Sequence, residues 1–110
     1  MSRFAIAGIQ MSIGMGRNID AIAQRIDILM HLYPWVQMVV LSEFAAHGPD
    51  PRTTQETGGL TEQELCDLAR RHSLWFVPGS LFEARNGRIY NMTPVIDPTG
   101  TVVARYRKIF

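Results

Sequence analysis

The sequence has a single cysteine, Cys66, and this scarcity excludes several kinds of protein. One thiol cannot form a disulfide framework within the chain or a metal site built from several cysteines. Chains that do without disulfides are typical of reducing compartments, and we expect a cytoplasmic protein. The pair Gly14 and Gly16 lacks the third glycine of a dinucleotide fingerprint, so the sequence does not predict a dinucleotide site there.

Neither sign of charge is in excess. Eleven basic and ten acidic side chains give a formal net charge of +1, and neither sign is concentrated in a run. Because nucleic acids and anionic membranes select basic patches, the sequence predicts neither of them as a partner. Long apolar runs are also missing: residues 4–11 fall well short of the roughly 20 residues that span a bilayer. No cleavage pattern follows them, so we expect no signal peptide.

Hydrophobic residues make up 46% of the 110 positions, enough for one domain with a packed core. Residues 4–11 are predicted to form a strand. From Ile19 to Tyr33, apolar side chains recur at spacings of three and four, which indicates a helix that Pro34 ends. Residues 36–42 form a second apolar run. Strand, helix and strand with short joints predict a βαβ unit with parallel strands.

A loop without periodicity, residues 47–59, leads into a second predicted helix. Thr61 and Glu64 have the spacing of a capping box, in which each side chain bonds an amide of the other residue's turn. The next predicted element is a strand at residues 74–82, kinked at Pro78-Gly79-Ser80. Asn86-Gly87 predicts a hairpin turn. Two further strands are predicted at residues 90–96 and 101–106, joined by a turn at residues 97–100. The order β-α-β-α-β-β-β predicts an α/β fold.

Glu43 is the residue most favourably placed for chemistry. It ends the apolar run of the second strand, and ligands of open α/β sheets gather at the carboxyl ends of strands. Without further information, such a carboxylate is more often a loop cap or an ion-pair partner, and Lys108 is more often a surface lysine. His47 is close enough in sequence to touch a substrate, although loop histidines are usually only solvated. Cys66 is most simply a packing residue.

Several short motifs share an order and spacing with one known family. They are Ala5-Ile6-Ala7-Gly8-Ile9-Gln10-Met11, Asn18, Leu41-Ser42-Glu43-Phe44, Pro78-Gly79-Ser80, Tyr90-Asn91, Asp97 with Gly100, and Tyr106-Arg107-Lys108-Ile109-Phe110. In this order they resemble the nitrilase superfamily of carbon-nitrogen hydrolases. Ser42 departs from the pattern, because a proline often precedes the glutamate in the family.

The resemblance implies a four-layer αββα sandwich and a catalytic triad of glutamate, lysine and cysteine. Glu43 matches the general base, and Lys108 matches the lysine that stabilises the oxyanion. The family's nucleophilic cysteine follows the lysine, so we expect it to lie beyond Phe110, and the position of Cys66 does not match it. Residues 1–110 therefore resemble the N-terminal part of a single hydrolase domain, which we expect to be inactive alone.

The implied reaction is hydrolysis of a non-peptide C–N bond in a small amide, nitrile or carbamoyl compound through a cysteine thioester. The family also implies a homo-oligomer, a dimer or higher, without cofactor or metal. Two alternatives stay open at this point. The first is acyl transfer to an amine or lipid by the same fold, and the second is a non-catalytic α/β binding module if no cysteine follows residue 110.

Overall fold

A computed structural model describes residues 3–108, which form one seven-stranded mixed sheet and two helices. The strands are β1 Ile6–Gly8, β2 Met38–Val40, β3 Gln55–Glu56, β4 Trp75–Val77, β5 Leu81–Arg85, β6 Arg88–Ile96 and β7 Val102–Arg107. The helices are α1 Ile19–Leu32 and α2 Leu60–His72, and Pro51–Thr53 form a short 3-10 turn. The strand order is β1-β2-β4-β6-β5-β3, and β7 also pairs with β6. No helix among residues 3–108 is long and apolar enough to cross a membrane.

The predicted βαβ unit is confirmed. Strands β1, β2 and β4 are parallel neighbours, and α1 connects the first two of them. The helix buries the apolar side chains of Ile19, Ile22 and Ile26, which share one face at helical spacing. It ends just before Pro34, as predicted, with the Tyr33 amide donating to the Leu29 carbonyl at 2.7 Å. The strands are shorter than the apolar runs that predicted them.

The single kinked strand predicted at residues 74–82 is wrong, because the chain forms two strands there. Strand β4 pairs parallel with β2, whereas β5 pairs antiparallel with β6. Between them, Pro78 has no amide hydrogen to offer a neighbouring strand, and Gly79 has a φ of +78°. These two residues turn the chain out of one ladder and into another. The predicted loop at residues 47–59 also contains the two-residue strand β3.

The predicted capping box is wrong as well. Helix α2 begins at Leu60, so Thr61 already lies inside its first turn, where its amide donates to the Gln55 side-chain oxygen at 2.9 Å. The Thr61 hydroxyl instead accepts a hydrogen bond from the Gln55 side chain at 2.6 Å. The Glu64 carboxylate binds the Arg17 guanidinium, with N–O distances of 2.8 and 2.5 Å. Thr61 and Glu64 therefore bind other partners, six and 47 positions away in the sequence, instead of each other's backbone amides.

Both predicted turns are confirmed. Arg85 pairs with Arg88 across a two-residue hairpin in which Asn86 and Gly87 have positive φ angles of 51° and 75°. This geometry matches the right-handed twist of the flanking strands and explains the Asn-Gly sequence. At the second turn, the Gly100 amide donates to the Asp97 carbonyl at 2.9 Å, and β7 then pairs with β6.

The two helices cover one face of the sheet. A single hydrophobic core joins their buried stripes to inward side chains of the strands, among them Val39, Phe76 and Ile96. Side chains alternate between the two faces along a strand. Val77, which follows Phe76, and Thr93, three positions before Ile96, therefore lie on the opposite face, where they are only half-buried. The sheet therefore has one closed face and one more open face.

Two ion pairs on the closed face connect β7 to β5 and to α2. Arg107 binds the buried carboxylate of Glu83, with Nε 2.7 Å from Oε1, and Arg105 binds the buried carboxylate of Glu62 at 2.6 Å. Since direction alternates along β7, the next residue after Arg107, Lys108, points to the open face. The backbone of Lys108 is held by a hydrogen bond from its amide to the Asn91 carbonyl at 3.0 Å.

Candidate active site

Glu43 lies in the loop that follows β2, at the carboxyl end of that strand. The Leu41 amide still donates to the Val77 carbonyl at 2.8 Å, which keeps the chain beside β4 until just before the glutamate. Phe44 then has a φ of 59°, an uncommon left-handed conformation for a residue other than glycine. Its amide donates to the buried hydroxyl oxygen of Ser80 at 3.1 Å. This contact holds the turn that presents the Glu43 side chain.

Gly79 allows the glutamate loop to approach β4 and β5. A Cβ atom on this residue would overlap the carbonyl oxygen of Ser42 and lie 2.9 Å from its carbonyl carbon. Only glycine fits that approach at a φ of +78°. Residues 42–44 therefore pack directly against the motif Pro78-Gly79-Ser80.

The structure brings Glu43 and Lys108 together, although they are 65 positions apart in the sequence. Lys108 Nζ lies 3.5 Å from Glu43 Oε2, and both side chains are about half exposed, at 51% and 52%. An exposed pair of this kind contributes at most about 1 kcal/mol to stability. The contact therefore matters mainly for placing a carboxylate and an ammonium side by side.

Sequence reasoning did not identify Asn91 as a site residue. Its side-chain amide donates to Glu43 Oε2 at 2.6 Å, the shortest contact described for this carboxylate. Its backbone carbonyl accepts a hydrogen bond from the Lys108 amide at 3.0 Å. The only sequence signal was its membership in the motif Tyr90-Asn91, which gave no hint that it would contact Glu43.

A cleft of about 380 Å³ adjoins these three side chains on the open face of the sheet. Leu41 and Val77 give it an apolar wall, and Tyr106 and Thr93 add polar groups. A cleft of this volume, with one apolar wall and several polar side chains, suits a small polar molecule.

The interpretation of His47 as a solvated loop residue is wrong. The side chain is half-buried, with Nδ1 2.9 Å from the Gly16 carbonyl oxygen and Nε2 2.7 Å from the Thr61 hydroxyl. A carbonyl can only accept, so in the neutral ring Nδ1 carries the proton and Nε2 accepts from Thr61. His47 thus ties the loop after Glu43 to the start of α1 and to α2, and both of its ring nitrogens are occupied.

Cys66 lies in α2, in the layer that covers the closed face. Burial raises the pKa of its thiol, and the carboxylates of Glu62 and Asp67 raise it further. A thiol with a raised pKa is a weak nucleophile at neutral pH. Among residues 3–108, no three side chains of His, Cys, Asp or Glu are placed to hold a metal ion.

Comparisons with known proteins agree along most of the chain. A family model described as carbon-nitrogen hydrolase matches residues 5–110. Omega-amidase NIT2 from Homo sapiens is 36% identical over 59 residues, which are 54% of this chain and 21% of that protein. The Mus musculus protein of the same name is 30% identical over 59 residues, with the same coverage.

Solved structures show the same fold. Nit3 of Saccharomyces cerevisiae, described as a member of branch 10 of the nitrilase superfamily, superposes with a TM-score of 0.85 at 21% identity, covering 97% of this chain and 44% of its own. A carbon-nitrogen hydrolase from Helicobacter pylori G27 gives 0.81 at 20% identity, covering 97% and 40%. The matched region thus spans about a fifth of the curated relatives and under half of these structures. The fold is part of the nitrilase-type fold, and the chain belongs to the carbon-nitrogen hydrolase family.

Proposed function

We propose that the protein containing this chain hydrolyses non-peptide C–N bonds of a small amide, nitrile or carbamoyl compound through a cysteine thioester. Residues 1–110 form the N-terminal part of its one domain and supply Glu43 and Lys108, and the nucleophilic cysteine comes from outside this segment. The main support for the proposal is that Lys108 Nζ lies 3.5 Å from Glu43 Oε2, beside a cleft large enough to hold a small molecule.

Each residue has a role that suits its chemistry. Glu43 accepts the proton of the thiol, so that a thiolate attacks the amide or nitrile carbon. Lys108 provides a positive charge for the oxyanion of the tetrahedral intermediate that an amide forms. With an amide or carbamoyl substrate, Glu43 then returns the proton to the departing ammonia or amine, and a thioester remains on the cysteine. A nitrile instead forms a thioimidate, which takes up one water molecule and releases ammonia to give the same thioester. Water activated by the same glutamate hydrolyses the thioester and restores the thiol.

An amide is the first substrate class to test, because the curated relatives named above are omega-amidases. The proposed reaction needs only a carboxylate, an ammonium, a thiol and water, so it requires neither a metal nor a cofactor. We further infer that the complete protein is cytoplasmic, as the scarcity of cysteine indicates, and that it forms a homo-oligomer, a dimer or higher, as the family resemblance implies.

The proposal is tested by finding the residue that becomes acylated. The natural protein that contains residues 1–110 is incubated with a small ω-amide, quenched in acid and mapped by peptide mass spectrometry. We expect ammonia release together with an acyl adduct on a cysteine outside residues 1–110. A protein that ends at residue 110, an adduct on Cys66, or ammonia release without any cysteine adduct would each contradict the proposal.

A further inference from the structure

Asn91 contacts the proposed base through its side chain and the proposed lysine through its backbone. It lies within β6, opposite Phe82 of β5, and its side chain reaches the open face of the sheet. The side-chain amide donates to Glu43 Oε2 at 2.6 Å, and the backbone carbonyl accepts from the Lys108 amide at 3.0 Å. Among residues 3–108, no other side chain is described as a hydrogen-bond partner of Glu43 besides Lys108.

The other half of the Asn91 amide shows that this orientation matters. Its Oδ1 atom is buried and has no hydrogen-bond partner among the described residues. Leaving a buried acceptor without a partner is destabilising. Rotating the amide by half a turn would exchange its nitrogen and oxygen. Oδ1 would then face the Glu43 carboxylate oxygen, and the two partial negative charges would repel each other. The surroundings of the side chain therefore favour the orientation in which the N–H group donates to Glu43.

Both hydrogen bonds described for Glu43 end at the same oxygen. Asn91 donates to Oε2, and Lys108 lies 3.5 Å from Oε2. A donor on Oε2 fixes the rotation of the carboxylate and occupies that oxygen. The remaining oxygen, Oε1, is then the better proton acceptor, and its direction is set by the contact at Oε2.

We propose that Asn91 is a positioning residue that holds Oε2 of Glu43, so that Oε1 receives the proton of the attacking thiol. The inference rests on the proposed function, because it assigns a task to one atom of the proposed base. Asn91 does not itself exchange a proton. Its effect belongs to the chemical step, where a misplacement of about 1 Å costs about 100-fold in rate.

Two substitutions at this residue test the role in the full-length protein. Asn91→Leu keeps a similar volume and removes the donor, and we expect kcat to fall about 10- to 100-fold with KM changed less than about threefold. Asn91→Asp keeps the shape and places a second carboxylate against Glu43. Repulsion between the two carboxylates favours protonation, so the rising limb of kcat against pH moves to higher pH in this variant.

Gln24 lies exposed on α1 and provides matched controls, because Gln24→Leu and Gln24→Glu make the same chemical changes away from the cleft. Both controls keep the wild-type kcat and pH profile. The inference is overturned if Asn91→Leu retains wild-type kcat, or if Asn91→Asp leaves the pH profile unmoved. Asn91→Asp decides the matter alone if the leucine variant does not fold.

Measuring Glu43→Gln beside these variants distinguishes a failure of the proposed function from a failure of the role assigned to Asn91. If Glu43→Gln turns over substrate like wild type, the proposed function fails, and the role of Asn91 fails with it. If Glu43→Gln is inactive but Asn91→Leu has wild-type kcat, only the role of Asn91 is wrong.

Discussion

Gly79→Ala is expected to displace the loop that carries Glu43. An alanine at a φ of +78° costs about 1 to 2 kcal/mol, because left-handed conformations crowd the Cβ atom. The Cβ would also overlap the Ser42 carbonyl oxygen and lie 2.9 Å from its carbon. Overpacking of this kind costs about 1 to 3 kcal/mol when the surroundings shift. We therefore expect the free energy of unfolding to fall by about 2 to 5 kcal/mol.

Gly87→Ala is the matched control, because Gly87 has a φ of +75° and nothing lies within 4 Å of a Cβ placed there. It has the conformational cost alone, so we expect a loss of about 1 to 2 kcal/mol. Urea unfolding followed by tryptophan fluorescence measures both variants. The packing argument is refuted if the two alanine variants lose equal stability. Gly79→Ala should also lose turnover, since the loop it displaces carries Glu43.

Two further predictions concern groups on the closed face. Burial would raise the pKa of Glu83, but hydrogen bonds from Arg107 and Thr57 outweigh it and hold the pKa below its ordinary value. The stabilisation is therefore fully present above the unfolded-state pKa of about 4.3 and is lost as the pH falls through the lower folded-state value. Glu83→Gln should cost about 3 kcal/mol at pH 7, and its difference from wild type should shrink in acid melts. The exposed control Glu56→Gln should change little, and an equal loss in both variants would refute the assignment. Cys66→Ala should leave kcat unchanged, and loss of turnover in this variant would contradict the proposed mechanism. Iodoacetamide should label Cys66 slowly, because burial raises the pKa of its thiol.

The parts of the fold that were predictable depend on local patterns. The spacing of Ile19, Ile22 and Ile26 fixes the buried face of α1 whatever packs against it, and Asn86-Gly87 requires a tight hairpin on conformational grounds. The placement of Glu43 at a strand end also followed from a short apolar run.

What was missed depends on partners distant in sequence. The capping box failed because Glu64 binds Arg17, 47 positions away, an interaction that no local pattern contains. The contact between Asn91 and Glu43 spans 48 positions and exists only because β4 lies between β2 and β6 in the sheet. Similarly, the division of the strand at Gly79 reflects the approach of the Ser42 carbonyl.

The most direct test of the central claim is ammonia release by Glu43→Gln in the full-length protein, measured beside wild type on a small ω-amide. Loss of general-base catalysis predicts a fall in kcat of about 100- to 10,000-fold. Because the Glu43 side chain is half exposed, the melting temperature should stay close to that of wild type. Turnover at the wild-type rate in a folded Glu43→Gln protein would contradict the account.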